Sequence, residues 1–244
     1  MESGMVKSAM RVFELLELFE AERRPLRIAE MVDRLGVPQS SLSMLVKTLV
    51  ARGYMEFDSV TREYCPSVRV SFLGDWAMGA RHQQEIRDAL RQLSNEVGET
   101  AILARHSGLF VQYVAVMESE HALRFSLVPG SQRPMHHAAL GIMLLSQFDD
   151  DQIGRLLRRY NAEAEKGAPL AKIAETMRAV HQAREQGWYE SANLATQGAG
   201  VIATLLATPI RGQRLGIGVG APLQRLQPRR KKILAAVLET AANF

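Results

Sequence analysis

The chain has 244 residues, of which 47% are hydrophobic and 23% are charged, values that indicate a folded globular protein of one or two domains. It contains no run of 18 apolar residues, which argues against a membrane span. The first residues lack the basic and apolar segments of a secretory signal, so we expect a cytoplasmic protein. The single cysteine, Cys65, excludes an internal disulfide and a zinc site built from cysteines.

The net charge of +4 is unevenly distributed along the chain. Residues 1–73 contain ten basic and ten acidic residues, which leaves twenty basic and sixteen acidic residues for 74–244. Much of the excess lies in one run, Arg229–Lys232, for which two interpretations remain open. It is either a solvated face or a contact with an acidic surface such as Asp149–Asp151 of another subunit. Bulk charge therefore does not predict a nucleic-acid partner.

The first 68 residues carry a regular pattern of helices and strands. Apolar residues recur with a helical period over 6–19, 26–35 and 38–52. Gly36 is suited to cap the second helix, and Pro38 to open the third. Two alternating segments, 54–58 and 63–66, flank a polar loop and predict a β-hairpin. Three helices followed by a hairpin predict a winged helix-turn-helix.

The remainder of the chain mixes helices and strands, which predicts an α+β domain. A long helix over 68–95, interrupted at Gly74 and Gly79, is expected to join the two parts. Strands are predicted over 100–105, 110–116, 122–128, 201–210 and 215–220. A loop is predicted over 129–134, and helices over 136–148, 149–161, 170–186 and 228–242.

The third helix presents a polar face that suits the DNA major groove. At ~100° per residue, Ser40, Ser43 and Lys47 share a face opposite the apolar stripe. Serine hydroxyls bind phosphates or base edges, and lysine neutralises phosphate. The residues expected to contact DNA are Gln39, Ser40, Ser41, Ser43, Met44, Lys47, Arg52 and Arg62. An ordinary solvated helix face is the alternative.

A second alternative is an enzyme or small-molecule sensor whose N-terminal helices serve assembly. The sequence shows no glycine-rich phosphate loop, no nucleophile elbow and no metal-ligand spacing, so no catalytic residue, metal or cofactor is predicted. The adjacent His136 and His137 would point about 100° apart on a helix, so we expect a structural or pocket-edge role for them rather than metal binding.

Several segments in order resemble IclR-type transcriptional regulators. They are residues 6–16, 35–41 and 49–56 in the first part, and 129–141, 183–188, 206–210 and 216–222 in the second. The resemblance implies a winged helix-turn-helix domain (1–68), a linker helix (69–87) and a GAF-like effector-binding domain (88–244). It also implies a homodimer or tetramer on a palindromic operator in double-stranded DNA, no membrane partner, and control of a catabolic operon by a small organic acid.

The resemblance further implies an effector pocket. Its expected lining residues are Pro129, Gly130, Ala139, Leu140, Ser191, Ala203, Leu205, Gly218 and Gly220. Gly218 and Gly220 stand where the family often has serines, and Leu205 where a cysteine is common. We therefore expect a larger or more apolar effector than glyoxylate. The alternative is that the two glycines only pack a strand against a helix.

Overall fold

The computed structural model describes residues 6–67, 69–70, 73, 80–210 and 212–244. The chain divides into two compact units, Met1–Gln83 and Gln84–Phe244. Within the described residues, no helix is long and apolar enough to cross a membrane.

The N-terminal unit contains three helices followed by a two-stranded antiparallel hairpin. The elements are α1 (Lys7–Glu22), α2 (Ile28–Leu35), α3 (Gln39–Ala51), β1 (Met55–Asp58) and β2 (Glu63–Pro66). Leu26 forms an additional bridge to Tyr64 of β2, with N–H to O distances of 3.0 and 2.8 Å. The sequence pattern did not predict this bridge, because a single extended residue has no periodicity.

The turn between α2 and α3 forms as the sequence predicts. Gly36 adopts a left-handed conformation (φ 62°), and its N–H donates to the carbonyl of Val32 at 2.9 Å. Glycine adopts this conformation without a Cβ clash, so α2 ends there. Pro38 is the N-cap of α3. The helices and hairpin enclose a small apolar core formed by Leu15, Phe19, Leu26, Met31, Val37, Leu42, Val46 and Met55.

The C-terminal unit combines a six-stranded sheet with helices, which confirms the predicted α+β class. Its strands are β3 (Thr100–Ser107), β4 (Phe110–Met117), β5 (Gln132–Pro134), β6 (Trp188–Ala192), β7 (Ala199–Leu205) and β8 (Gly216–Pro222). Its α-helices are α4 (Ala80–Val97), α5 (Ala139–Leu145), α6 (Asp150–Glu163), α7 (Ile173–Gln186), α8 (Leu223–Leu226) and α9 (Arg230–Ala242), and a 3-10 helix spans Met135–His137.

The sheet is antiparallel throughout, in the order β5-β4-β3-β8-β7-β6. The wholly buried helix α5 covers one face, where a methyl group on Gly216 would meet Leu140 at 2.9 Å. On the other face a methyl group on Gly200 would meet Leu223 of α8 at 2.8 Å. The register pairs Ile102 with Gly218 and Gly218 with Ala203, so these residues line the face under α5.

Four of the sequence-based predictions for the C-terminal unit need correction. The strand predicted over 122–128 is wrong, because these residues form an irregular loop. The loop predicted over 129–134 contains β5 at its end, and the helix predicted over 136–148 is a 3-10 helix followed by the short α5. Strand β6 was not predicted. Much of the predicted joining helix, including Gly74 and Gly79, lies outside the described residues.

Candidate nucleic-acid interface and effector cavity

Helix α3 exposes a narrow strip of side chains to solvent. Ser40, Met44 and Lys47 are all exposed, and Met44 is 68% exposed. They fall on one line of the helix, opposite the buried Leu42 and Val46. The strip centres on Met44 rather than on Ser43, which is half-buried. An apolar side chain therefore lies at the centre of the face that the sequence predicted to be polar.

The serines of α3 do not all face outward. Ser41 is half-buried, and its hydroxyl accepts a hydrogen bond from the Arg11 guanidinium at 2.8 Å. This bond joins α3 to α1. Ser41 is therefore engaged within the unit, although the sequence placed it among the DNA contacts. Gln39 and Arg52, at the two ends of α3, are exposed.

The hairpin turn presents a second exposed cation. The Asp58 carboxylate accepts hydrogen bonds from the N–H groups of Val60 and Thr61 at 2.7 and 3.2 Å, which fixes the turn after β1. Arg62 follows in a left-handed conformation (φ 59°) and is exposed. The turn thus places Arg62 at the tip, as the sequence predicts.

Part of the charge of the first 73 residues is neutralised by ion pairs around α1 and α2. Four ion pairs join Glu22 to Arg24 and Arg34, Glu30 to Arg24, and Glu63 to Arg27. Among the described residues, Lys47, Arg52 and Arg62 form no ion pair. Glu22, Glu30 and Glu63 thus pair with arginines of the α1–α2 region, while Lys47, Arg52 and Arg62 remain available to an anionic partner.

The C-terminal unit contains a small, partly open cavity between α5 and the sheet. Its volume is about 20 Å³, counted as the space open to the centre of a water molecule, which is room for roughly one or two waters. Its wall consists of Ile102, Tyr113, Phe125, Arg133, Ala138, Ala139, Leu140, Ser191, Leu194, Ala195, Thr196, Ala199, Gly200 and Val201. Of the predicted pocket residues, Ala139, Leu140 and Ser191 line it.

The other predicted pocket residues lie near this cavity but not on its wall. Ala203, Leu205, Gly218 and Gly220 share the sheet face that α5 covers. Pro129 and Gly130 lie in an exposed turn, where the Gly130 N–H donates to the carbonyl of Tyr113 at 2.7 Å. This turn holds β4 in place rather than contributing side chains to the cavity.

Gly218 and Gly220 of β8 do not create open space. A Cβ on Gly218 would lie 2.7 Å from the carbonyl oxygen of Ile202, and a Cβ on Gly220 would lie 2.5 Å from the Phe125 ring. The Phe125 ring thus occupies the volume that Gly220 leaves, and it also forms part of the cavity wall. Gly218 therefore packs against the neighbouring strand β7 and Gly220 against the Phe125 ring, not against a helix as the sequence alternative supposed.

Sequence reasoning missed four polar or aromatic wall residues: Tyr113, Phe125, Arg133 and Thr196. Burial raises the pKa of Tyr113, and the positive charge of Arg133 opposes that increase. Arg133 lies within the 129–141 segment that carried the family resemblance. Alternation of polar and apolar residues in a strand after Pro129 could have indicated that Arg133 faces inward. Strand β5 has only three residues, however, which is too few for a two-residue period to be recognised.

His136 has a structural role, as expected. Its ring lies 4.8 Å from that of Tyr160, and its Nε2 lies 3.0 Å from the carbonyl oxygen of Pro169. Burial lowers the pKa of both His136 and His137. No group of three or more potential metal ligands occurs among the described residues.

The basic run at the start of α9 is partly paired within its own unit. Arg230 bonds Glu190 at 2.5 Å, and its guanidinium lies 4.9 Å from the centre of the Trp188 ring. Asp150, proposed as an external partner for this run, instead bonds Arg184 and His181 at 2.6 and 2.8 Å. Asp150 is thus paired within its own unit, and the intersubunit contact stays a prediction.

Comparison with family models divides the chain in the same way as its fold. The IclR helix-turn-helix domain matches residues 8–59, and the domain described as bacterial transcriptional regulator IclR C-terminal matches residues 81–244.

Two related regulators match most of the chain. The chain is 30% identical over 231 residues to the probable transcriptional regulator SauR of Cupriavidus necator, covering 90% of this chain and 87% of that protein. It is 24% identical to the acetate operon repressor of Salmonella typhimurium, over 99% of this chain and 89% of the relative.

Solved structures show the same fold. The effector domain of an IclR regulator from Acinetobacter sp. ADP1 matches with a TM-score of 0.61 and 30% identity, covering 66% of this chain and 94% of that one. An IclR regulator from Alicyclobacillus acidocaldarius matches with a TM-score of 0.64 and 22% identity, covering 98% and 97%. These relatives are transcription regulators, so the alternative of an enzyme is set aside. The chain belongs to the IclR family of bacterial transcriptional regulators, which bind DNA through a helix-turn-helix domain.

Proposed function

We propose that this regulator binds a palindromic operator as a homodimer or tetramer and controls a catabolic operon in response to a small organic acid. The observation that carries the proposal is the exposed strip of α3 beside cations that have no acidic partner among the described residues. A protein with this role acts in the cytoplasm. The acetate operon repressor of Salmonella, a relative, supports repression of an operon for the use of an acid.

In this proposal α3 lies in the major groove. Lys47, Arg52 and Arg62 contact phosphates, which positions the helix, while Gln39, Ser40 and Ser43 reach base edges. Met44 contacts the methyl group of a thymine, because an exposed apolar side chain has no other favourable partner in the groove. Two α3 helices from a two-fold dimer would read half-sites about 34–36 Å apart.

The effector binds in the C-terminal cavity, between α5 and the sheet. The apolar wall formed by residues such as Ile102, Leu140 and Val201 favours an organic acid with a larger or more apolar body than glyoxylate. A space of about 20 Å³ admits such a body only if a wall residue moves. Phe125 is the candidate, because its ring fills the volume over Gly220. A ligand that binds one arrangement better than the other shifts the population of dimer arrangements.

Fluorescence anisotropy with the DNA upstream of the protein's own operon tests DNA reading. Lys47→Ala should weaken binding to all sequences and reduce the slope of log affinity against log salt by about 1. Ser43→Ala should act on particular base pairs. Lys166→Ala, an exposed lysine of the C-terminal unit, is the matched control and should change nothing. Unchanged operator affinity in both α3 variants would show that α3 is not the reader.

Titration of the protein–operator complex tests the effector. Glyoxylate, pyruvate and a panel of aromatic acids are compared for the concentration at which each changes operator affinity. We expect an aromatic acid to act at lower concentration than glyoxylate. Tight glyoxylate binding would contradict the larger effector.

A further inference from the structure

We propose that Val60, at the tip of the hairpin between β1 and β2, enters the minor groove beside each half-site and makes the protein prefer A·T over G·C pairs there. The inference rests on the proposed function, because it requires α3 to lie in the adjacent major groove. It assigns a second contribution to operator selection, which an apolar side chain makes from the other groove.

The exposure of Val60 is the starting observation. Val60 is 90% exposed, the largest exposed fraction among the large apolar side chains that the structure describes. Turns usually carry glycine, proline, asparagine, aspartate or serine rather than valine. Single exposed apolar residues are common and need no explanation by themselves. The place of Val60 distinguishes it, because it lies at the end of a projecting hairpin, two residues before the exposed Arg62.

The hairpin is long enough to carry its tip from α3 to the neighbouring groove. Met55, the first residue of β1, is buried in the same core as Leu42 and Val46 of α3. Val60 follows five residues later, and at about 3.3 Å per residue the tip extends up to about 16 Å from that core. A DNA repeat of about 34 Å separates the major groove from the next minor groove by roughly 17 Å. The two lengths match.

Several contacts hold the hairpin in one shape. The Asp58 carboxylate accepts hydrogen bonds from two N–H groups of the turn, at 2.7 and 3.2 Å. The ring centres of Phe57 and Tyr64 lie 4.6 Å apart, which joins the two strands. Tyr64 is also bridged to Leu26, outside the hairpin. A tip that is already ordered enters a groove at a lower entropic cost than a mobile one.

The charges around the tip allow it to approach phosphates. Within residues 59–62, Arg62 supplies the charge, which is positive. Asp58 is engaged with the N–H groups of the turn, and Glu63 is in an ion pair at 3.7 Å. Glu56 lies on β1, farther from the tip. Arg62 can therefore hold a phosphate at the edge of the groove while the apolar tip extends into it.

The minor groove distinguishes the two kinds of base pair by one group. A·T and T·A present only the acceptors adenine N3 and thymine O2, whereas G·C adds the guanine amino group. This amino group projects from the groove floor, so it takes up the space that the Val60 side chain would fill. Covered by an apolar side chain, it would also be a donor without an acceptor. Contact with Val60 therefore favours A·T pairs.

Inosine separates reading of the minor groove from reading of the major groove. An I·C pair presents the minor groove of A·T and the major groove of G·C. In an operator obtained by binding selection, each flanking A·T pair outside the bases read by α3 is replaced in turn by G·C and by I·C. One G·C replacement should weaken binding of the full-length protein about fivefold in fluorescence anisotropy. The I·C operator should stay within about twofold of the original.

Substitutions of Val60 test whether this side chain is the reader. Val60→Ser should bind the G·C and I·C operators equally, and its slope of log affinity against log salt should be unchanged, because no charge is lost. Val60→Ile keeps the apolar contact and should keep the preference. Val128→Ser is the matched control, because Val128 is 68% exposed in the C-terminal unit, and it should behave as wild type. The melting temperature of each variant shows that it is folded.

Three outcomes would overturn the minor-groove contact. They are equal weakening by G·C and I·C, no flanking preference in the wild-type protein, or a full preference in Val60→Ser. Lys47→Ala is measured on the same DNA. Weaker binding by Lys47→Ala with the preference retained in Val60→Ser would overturn the contact of Val60 alone. Loss of the preference in Val60→Ser with unchanged binding by Lys47→Ala would support that contact and contradict the proposed placement of α3.

Discussion

Helix α3 and the cavity of the C-terminal unit place their candidate functional groups in opposite environments. The groups of α3 and the hairpin turn are exposed, come from one short segment, and rest on a separate apolar core. Those of the cavity come from α5, several strands and two loops, and several are buried. A surface site can be altered without loss of stability, whereas a change in the cavity alters stability and binding together. Four predictions test this contrast, from the largest expected effect to the smallest.

The largest effect should come from an ion pair inside the C-terminal unit. Glu99 is fully buried, and its two carboxylate oxygens accept hydrogen bonds from Arg225 at 2.6 and 2.9 Å. Arg225→Met leaves the carboxylate buried without its main partner and should lower the free energy of unfolding by about 3–5 kcal/mol. Urea unfolding measures the loss. Arg155→Met, on the surface of α6, should cost less than about 0.5 kcal/mol. Equal losses in the two variants would contradict the role of Glu99.

A smaller loss is expected at the start of α5. A Cβ on Gly141 would lie 2.1 Å from the carbonyl oxygen of Met135, so Gly141→Ala forces two backbone segments apart. We expect a loss of about 1–3 kcal/mol in unfolding free energy. Gly154→Ala is the control, because its Cβ would meet only the flexible end of Arg158, at 3.3 Å, and alanine favours a helix. If Gly141→Ala lost no more unfolding free energy than Gly154→Ala, the close approach of Gly141 to the Met135 carbonyl would be contradicted.

Substitution of Met44 should change DNA recognition without changing stability. Because Met44 is 68% exposed, Met44→Ala should alter the unfolding free energy by less than about 0.5 kcal/mol. If its side chain contacts a thymine methyl group, discrimination at that base pair should fall about fivefold, on the order of 1 kcal/mol. Binding selection from a randomised operator library measures the preference. Retention of the thymine preference would place Met44 outside the groove.

The smallest effect concerns pH and should act on the C-terminal unit. Burial lowers the pKa values of His136 and His137, so the folded state favours their neutral forms. The unfolded chain therefore binds protons first as the pH falls below the ordinary histidine value of about 6.5. Stability should be full above that value and decrease towards pH 5. Residues 6–67 contain no histidine, so this contribution is absent from α1–α3 and the hairpin.

Melting temperatures at pH 7.5 and pH 5.0 measure this decrease. His136→Gln should reduce the difference between the two temperatures, because one of the depressed groups is removed. His181→Gln is the control, because that histidine is exposed beside Asp150. A difference that is the same in wild type and His136→Gln would exclude His136 as a source.

The sequence predicted the N-terminal unit in detail because its signals are local. The apolar stripe containing Leu42 and Val46 repeats within one helix, and Gly36 ends α2 through its own backbone conformation. The pairing of particular acids with particular arginines was not predicted, because it depends on contacts such as that of Glu22 with Arg34, twelve residues apart. The net charge of the segment, which is zero, concealed it.

Prediction of the C-terminal unit was less complete. The class and most helices were predicted, and Ala139, Leu140 and Ser191 do line the cavity. The strand predicted over 122–128 is a loop, because its backbone is held by long-range bonds such as that from the Thr100 hydroxyl to the Phe125 carbonyl at 2.6 Å. Nothing local to 122–128 indicates that the ring of Phe125 enters the space over Gly220.

The sequence by itself determined the helix-turn-helix, the exposure of Ser40 and Lys47 on α3 and the membership of the family, because helical periodicity, glycine conformation and motif order act over short distances. Tertiary structure decided which cations remain unpaired, that Gly218 and Gly220 are packed rather than open, and that Arg133 and Tyr113 share a cavity wall. Those properties depend on strand register and on contacts between residues far apart in the chain, where no short segment specifies its partner.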